Sequence, residues 1–417
     1  MWSKVRKFGL EHCDLPTMVE NSSVLLRVLS LNLNPLQEKK IPLIFYVFTV
    51  IVFSSYIYVY VFSMSWFVFW KSQETGDVIS AMVIFSLGVS SEISTIKFLY
   101  MFVNQNSLRS LIGKYLSYDS KSIPNSKTAK KVRAVLRGTK KTAMTFWLIV
   151  MGNGLVYCIK PLLLPGRHLM EDIAFLFGLD PLFESPYYEI GYILSLNACI
   201  FTVYATANIS AFFVIVTGYI EAQMLSLSEA VVNVWEDAQD FYYQNNNVSE
   251  NVFSNQTETK ITDKDIILNE YVRGQLFVII NNHTTNINLL YKIEEVFNSS
   301  LAIEFGLLMI SLIAEFLGGI ENTYILMPFA LVQVTMDCIA GQKLLDSSNV
   351  FRRAVYESKW ENFDVKNMKT VLMMLTNSQK DMTLTVGGLR TLSFLCLLDV
   401  FRMIYSTYTA LRSMFNR

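Results

Sequence analysis

Residues 41–70 read IPLIFYVFTVIVFSSYIYVYVFSMSWFVFW, thirty positions without one formal charge. Roughly 20 apolar residues suffice to carry an α-helix across about 30 Å of hydrocarbon, so this stretch is a membrane span. Working outward from it, six further apolar segments follow. They are Val78–Val103, interrupted by Glu92 and Lys97; Thr142–Leu164, ending at the breaker Pro165; Ile190–Ile220; Ser299–Gly319; Tyr324–Leu345; and Thr383–Tyr408. The last is broken by Gly387-Gly388 and marked by Arg390, Asp399 and Arg402. Only a few residues separate the fifth from the sixth, which predicts a tight helical hairpin. The fold class is therefore an all-α membrane protein with seven transmembrane helices.

Composition agrees. Of the 417 residues, 52% are hydrophobic, 13% aromatic and only 17% charged, and mean hydropathy is +0.34, too apolar for a domain whose charges must cover a water-facing surface. Thirty-five basic and thirty-five acidic residues cancel, so the average says nothing about nucleic acid or anionic surfaces and only the distribution is informative; membrane lipid is an expected partner and nucleic acid is not. Residues 1–40 carry ten charges and no apolar stretch, so no signal peptide is read there and the first span acts as its own insertion signal. Cys13, Cys158, Cys199, Cys338 and Cys396 lack CxxC spacing and read as buried packing residues.

Lysine and arginine set the orientation, because basic residues concentrate in cytoplasmic segments. With the N-terminus inside, twenty-six of them fall in inner segments and four in outer ones. The expectation is a cytoplasmic N-terminus and an extracellular C-terminus. The inner loop at 221–298 contains a polar tract, Gln244 to Lys260, expected to be disordered. On either side of it, apolar residues recur at helical spacing, as in Leu276, Ile279, Ile280, Ile287, Leu290 and Ile293. Spans four and five should extend as long helices into the cytoplasm, and their apolar stripes call for subunit packing. Sequons at Asn21, Asn247, Asn255, Asn282 and Asn298 would stay unglycosylated in this topology.

Charges at bilayer depth face protein or water. Lys160 and Lys343 lie near span ends and read as snorkelling anchors. Glu304 and Glu315 share one face of span five, either lining a polar cavity or pairing with other spans, and Asp399 and Arg402, three apart, either neutralise each other or face water. In the closing segment Ser406, Ala410 and Met414 fall on one face at i, i+4 and i+8. Around an axis shared by several copies, that stripe would make a narrow pore with an apolar gate; packing through small residues is the other reading. The histidines His12, His168 and His283 are isolated, and no HExxH, GxSxG or phosphate-binding glycine loop is present. Neither enzymatic activity nor a cofactor or metal is expected.

The last eighty residues resemble the insect odorant receptor family. The resemblance is carried by Cys338-Ile-Ala-Gly-Gln through Ser347, Ala354-Val-Tyr, Trp360, Leu372–Gln379, Leu384-Thr-Val-Gly-Gly and Tyr405-Ser-Thr-Tyr-Thr-Ala-Leu. Weaker similarity covers Pro165, the stretch from Pro181 through Ser185-Pro186-Tyr187, and His283. It implies inverted seven-helix topology and a ligand-gated cation channel, a heterotetramer with a shared co-receptor, in the plasma membrane of a sensory neuron dendrite. The co-receptor has a much longer second inner loop, so this chain resembles a ligand-tuning subunit. A gustatory-type channel is the main alternative, but the Thr-Tyr and Gln-Phe pattern that ends gustatory receptors is absent. A G-protein-coupled receptor is weaker still, for lack of Asp-Arg-Tyr after span three and Asn-Pro-x-x-Tyr in span seven.

The resulting division is 1–40, a cytoplasmic N-terminal segment; 41–345, six spans with a pocket in their outer half, including the loop 221–298; 346–382, a cytoplasmic anchor segment; and 383–417, a pore-lining seventh helix with a short extracellular C-terminus. A small volatile ligand would be held by apolar contact among Phe85, Met151, Gly154, Tyr157, Tyr192, Leu196, Phe316, Tyr324 and Met327, all in outward halves of spans two to six. By resemblance, the gate is at Ala410 and Met414.

Overall fold

The computed structural model describes residues 7–36, 40–121, 126–172, 176–246 and 259–415. Helices dominate, and several start where sequence provides a cap. The Asp14 carboxylate accepts the Thr17 N–H at the start of α1 (Leu15–Leu26), and Asp77 accepts the Ser80 N–H at the start of α3 (Val78–Val103). Each cap satisfies an amide that the first helical turn leaves unpaired. Between them, α2 (Leu43–Thr75) crosses as one apolar helix loosened by two π-type segments, Ile57–Ser63 and Phe67–Lys71. Gly76, at φ 68°, reverses the chain into α3.

The helices α4 (Gln105–Asp119), α5 (Lys127–Leu163) and α6 (Tyr187–Val232) follow, and α6 is buried on nearly every side by α2, α3, α5, α8 and α10. Its continuous apolar composition, without an amphipathic face, suits that central place. Next come α7 (Val234–Asn246), the 60-residue α8 (Thr259–Gly318), the single turn α9 (Ile320–Thr323) and α10 (Met327–Tyr356). The predicted hairpin between spans five and six turns at Gly319, at φ 88°. Of the tract at 244–260, residues 247–258 lie outside the described residues, as do the sequons at Asn247 and Asn255.

Six helices among the described residues are long and apolar enough to cross a membrane, namely α2, α3, α5, α6, α8 and α12. The sixth predicted span is α10, long enough at 30 residues but diluted by Gln333, Asp337, Lys343 and Asp346. Two of these, Gln333 and Asp337, point inward and are fully buried. This helix is shielded by protein, which is why its polar residues are tolerated. The predicted seventh span begins later than its apolar stretch does. Residues 385–391 form a hairpin, β1 (Thr385–Val386) antiparallel to β2 (Arg390–Thr391), and helix α12 (Phe394–Phe415) starts only at Phe394. Gly387 and Gly388, at φ 62° and 70°, adopt the left-handed conformation that such a turn demands.

One end of the bundle carries the turns at Gly76 and Gly319; the other carries the extensions of α6 and α8. At the extension end the 346–382 segment docks through α11 (Val365–Ser378), whose Asn367 side chain donates to the Asn269 carbonyl of α8 at 2.9 Å. Trp235 of α7 meets Phe363 at 5.8 Å between ring centroids, and Lys359 pairs with Glu236 at 2.6 Å. The N-terminal segment is fastened by Lys140 of α5, whose ammonium donates to the carbonyls of Lys7, Gly9 and His12 at 3.1, 2.7 and 2.6 Å.

Candidate ligand cavity and gate

Toward the hairpin end, α2, α3, α5, α6 and the start of α10 surround a void of about 40 Å³. Its wall is built from Tyr60, Leu87, Gly154, Tyr157, Val203 and Phe329, with the hydroxyls of Ser90, Ser91 and Thr202 and the amide of Asn153 as its polar groups. Gly154 is there because α5 and α6 come close: a Cβ at this position would lie 2.6 and 2.7 Å from the two methyls of Val203. Asn153, its neighbour, donates to the Ile325 carbonyl at 2.9 Å and ties α5 to the lead-in of α10.

Two further spaces adjoin. One, of about 20 Å³, lies under the loop after α5, between Tyr60, Tyr157, Leu169, Glu171 and Leu176. The other, of about 120 Å³, is a lateral groove between α2 and α3, bordered by Tyr60, Met64, Phe85 and Glu92. Tyr60 borders all three spaces and Tyr157 borders two, so these rings stand at the boundaries between them. Burial pushes the Glu171 carboxyl up to about 7, against the opposing pull of the Lys160 ammonium and the Tyr157 hydroxyl.

Of the predicted pocket residues, the structure brings Gly154 and Tyr157 together in the central void and puts Phe85 in the groove. Met151, Leu196 and Met327 are partly buried against the core without bordering these three spaces. The Tyr192 hydroxyl donates to the Cys158 carbonyl at 3.2 Å, and Cys158 meets Cys199, a residue of the void wall, at 3.3 Å between sulfurs. Tyr324 is 56% exposed and lies under the Lys160 ammonium, 5.6 Å from ring centroid to nitrogen. Phe316 packs on Tyr408 of α12 at 5.5 Å, a contact between α8 and the last helix. Sequence reasoning missed Tyr60 because it drew walls from spans two to six; the wide π-type turn at Ile57–Ser63 contains this residue.

The last helix is two-faced. Cys396, Val400 and Ile404 are buried against α8 and α10, whereas Ser406, Ala410 and Met414 are exposed on the single chain. Asp399 is nearer to Arg390 of the hairpin, at 3.3 Å, than to Arg402, at 4.0 Å, so its charge is shared between β2 and α12. Lys343 reaches the Thr142 hydroxyl at 3.4 Å. Among the described residues, no group of three or more His, Cys, Asp or Glu side chains is placed to hold a metal.

The profile of the 7tm odorant receptor family matches residues 76–405, most of the chain and all helices from α3 to the middle of α12. The chain belongs to the odorant receptor family. Among curated relatives of this receptor are the Drosophila melanogaster putative odorant receptor 85d, 28% identical over 32% of this chain and 34% of that protein, and odorant receptor 30a, 31% identical over 27% and 29%. Odorant receptor 67b of the same organism is 23% identical over 66% of this chain and 65% of its own. The receptor's matches thus span from about a third to two thirds of those relatives' lengths. The olfactory receptor OR5 of Machilis hrabei shares the fold, with a TM-score of 0.74 and 13% identity, covering 95% of the receptor and 98% of OR5. The same OR5 in complex with eugenol gives a TM-score of 0.74 at 14% identity, covering 96% and 98%. Family and fold are those of a multi-pass membrane receptor and not of an enzyme.

Proposed function

We propose that the receptor is the ligand-tuning subunit of a cation channel gated by small volatile organic molecules. It would assemble with a co-receptor as a heterotetramer in the plasma membrane of a sensory dendrite. The observation that carries the reading is the aromatic-partitioned cavity: mostly apolar walls, a few hydroxyls, and tyrosines at its internal boundaries. Pockets for small ligands hold roughly 300–1,000 Å³, so a ligand enters only if Tyr60 and Tyr157 swing aside and join the spaces they divide. The eugenol bound to OR5 supports the same ligand class for this chain.

In this reading the hairpin end faces outside, the N-terminus and the extension end are cytoplasmic, and residues 346–382 are the anchor on which subunits meet. The face Ser406, Ala410 and Met414 lines the axis, with Ala410 and Met414 as the constriction. Ligand shifts the gate only through unequal affinity for closed and open states. The contact of Phe316 with Tyr408 is the route by which movement of α8 reaches α12.

Expression with and without a co-receptor, recording current over a panel of volatiles, tests the assignment. Odorant-evoked inward current should require both subunits; a panel that evokes nothing beyond the co-receptor alone sinks it. Gly154→Ala tests the cavity. Its methyl would press on Val203, and about 1.4 kcal/mol of lost affinity raises the half-maximal ligand concentration roughly tenfold. The Gly154→Ala/Val203→Ala double variant should recover most of that loss in a dose–response measurement; an unshifted curve for the single variant rules out this wall.

A further inference from the structure

Nearer the extension end, α3, α6, α8 and α10 enclose a separate void of about 20 Å³, lined by Lys97, Ser210, Ser300, Glu304 and Asp337. All three ionisable members of that set are buried, with residue exposures of 7% for Lys97, 1% for Glu304 and 2% for Asp337. The Lys97 ammonium lies 2.6 Å from a Glu304 carboxylate oxygen, donates to the Ser210 hydroxyl at 2.6 Å and reaches the Gln333 side-chain oxygen at 3.4 Å. The Asp337 carboxyl lines the same void as that of Glu304, and its Oδ2 is buried without a hydrogen-bond partner.

Fully ionised, the cluster would bury two negative charges against one positive. No other charged side chain lines the void: α3 adds the neutral Tyr100, α6 adds Ser210 and α8 adds Ser300, while Gln333 and the thiol of Cys338 flank Asp337 along α10. An uncompensated buried charge is among the most costly features a protein interior can hold. Two carboxylates that share one buried site with a single ammonium do not both stay ionised: one takes a proton, or a second cation enters. A metal cation fits poorly, because it needs several oxygen ligands in a space with room for about one water and would sit beside an ammonium. A proton needs no added volume.

We propose that Asp337 binds one proton and donates it to Glu304, making Lys97, Glu304 and Asp337 an electrically neutral chain that joins α3, α8 and α10. The inference concerns the receptor's own bundle and stands whether or not the ligand assignment holds.

The test uses the full-length chain purified in detergent. At neutral pH, infrared difference spectra of wild type minus Asp337→Asn should show one carbonyl stretch of a protonated carboxylic acid, shifted by exchange into D₂O; absence of this band overturns the proposal. Asparagine has the shape of the neutral acid, so Asp337→Asn should fold and unfold near the wild-type temperature. The Glu304→Gln/Asp337→Asn double variant, which strands Lys97 without a counter-charge, should lose more than the sum of the single losses. If Asp337→Asn fails to fold, or unfolds as readily as Lys97→Met, the ionised carboxylate is required and the proposal falls. It falls too if exchanging sodium for choline lowers the wild-type unfolding temperature, since a metal ion would then be the counter-charge.

Discussion

Replacing Lys97 by methionine is expected to destabilise the receptor by about 3–5 kcal/mol, the range for removing one member of a buried ion pair. Methionine fills the volume of the lysine stem, so packing is nearly conserved and the loss is electrostatic. Glu304 loses its ammonium at 2.6 Å, and the Ser210 hydroxyl and Gln333 oxygen lose their donor. These acceptors lie on α8, α6 and α10, so one substitution loosens three interhelical contacts of α3 at once. Thermal unfolding in detergent, with the fraction of chain reaching the cell surface as a second measure, checks the effect. Surface lysines offer the contrast: Lys71 with Glu74 is an exposed pair at 3.1 Å, and exposed pairs contribute between zero and about 1 kcal/mol. A Lys97→Met protein as stable as a Lys71→Met protein would show that the buried cluster does not hold these helices together.

That cluster also marks where sequence reading stops. The uncharged run at 41–70 and the helical spacing beyond Ile220 are properties of neighbouring residues, so hydropathy and period alone foretell α2 and the long extensions of α6 and α8. Lys97 is visible in sequence only as an interruption of span two, and Glu304 as an acid that lines a cavity or pairs with another span. The pairing joins residues far apart in the chain, which no local period encodes. The same holds for α10: its inward-facing Gln333 and Asp337 lower its hydropathy, and only the surrounding helices show why it is buried. Gly154 and Tyr157, three residues apart on α5, both border the void, whereas Met151, three residues before Gly154, does not. Phe316, an equally plausible aromatic, turns instead toward Tyr408 of α12. Which way a mid-span aromatic faces depends on helix rotation, and a span that is apolar all round gives no moment from which to read it.

The second large effect is expected at Gly341, on α10 beside the start of the last helix. A Cβ there would lie 2.3 Å from the Leu392 carbonyl oxygen, 2.6 Å from the Leu392 Cβ and 2.8 Å from its carbonyl carbon. Backbone cannot rotate away as a side chain can, and this backbone is held on both sides. The Leu392 N–H donates to the Leu384 carbonyl at 2.8 Å, and the Phe394 N–H donates to the Gln342 side chain at 3.0 Å. Overpacking costs about 1–3 kcal/mol, and an immovable neighbour puts Gly341→Ala at the upper end of that range. Because residues 392–394 lead into α12, any relief of the clash also displaces the helix that bears Ser406, Ala410 and Met414. Peak odorant-evoked current per surface receptor should therefore fall further than surface abundance does. Gly306→Ala is the matched control: it lies within α8 with no atom within 4 Å of the added methyl, and alanine in a helix interior is worth about 0.5–1 kcal/mol over glycine. If Gly341→Ala and Gly306→Ala behave alike in both measurements, the close approach of α10 to Leu392 does not seat the last helix.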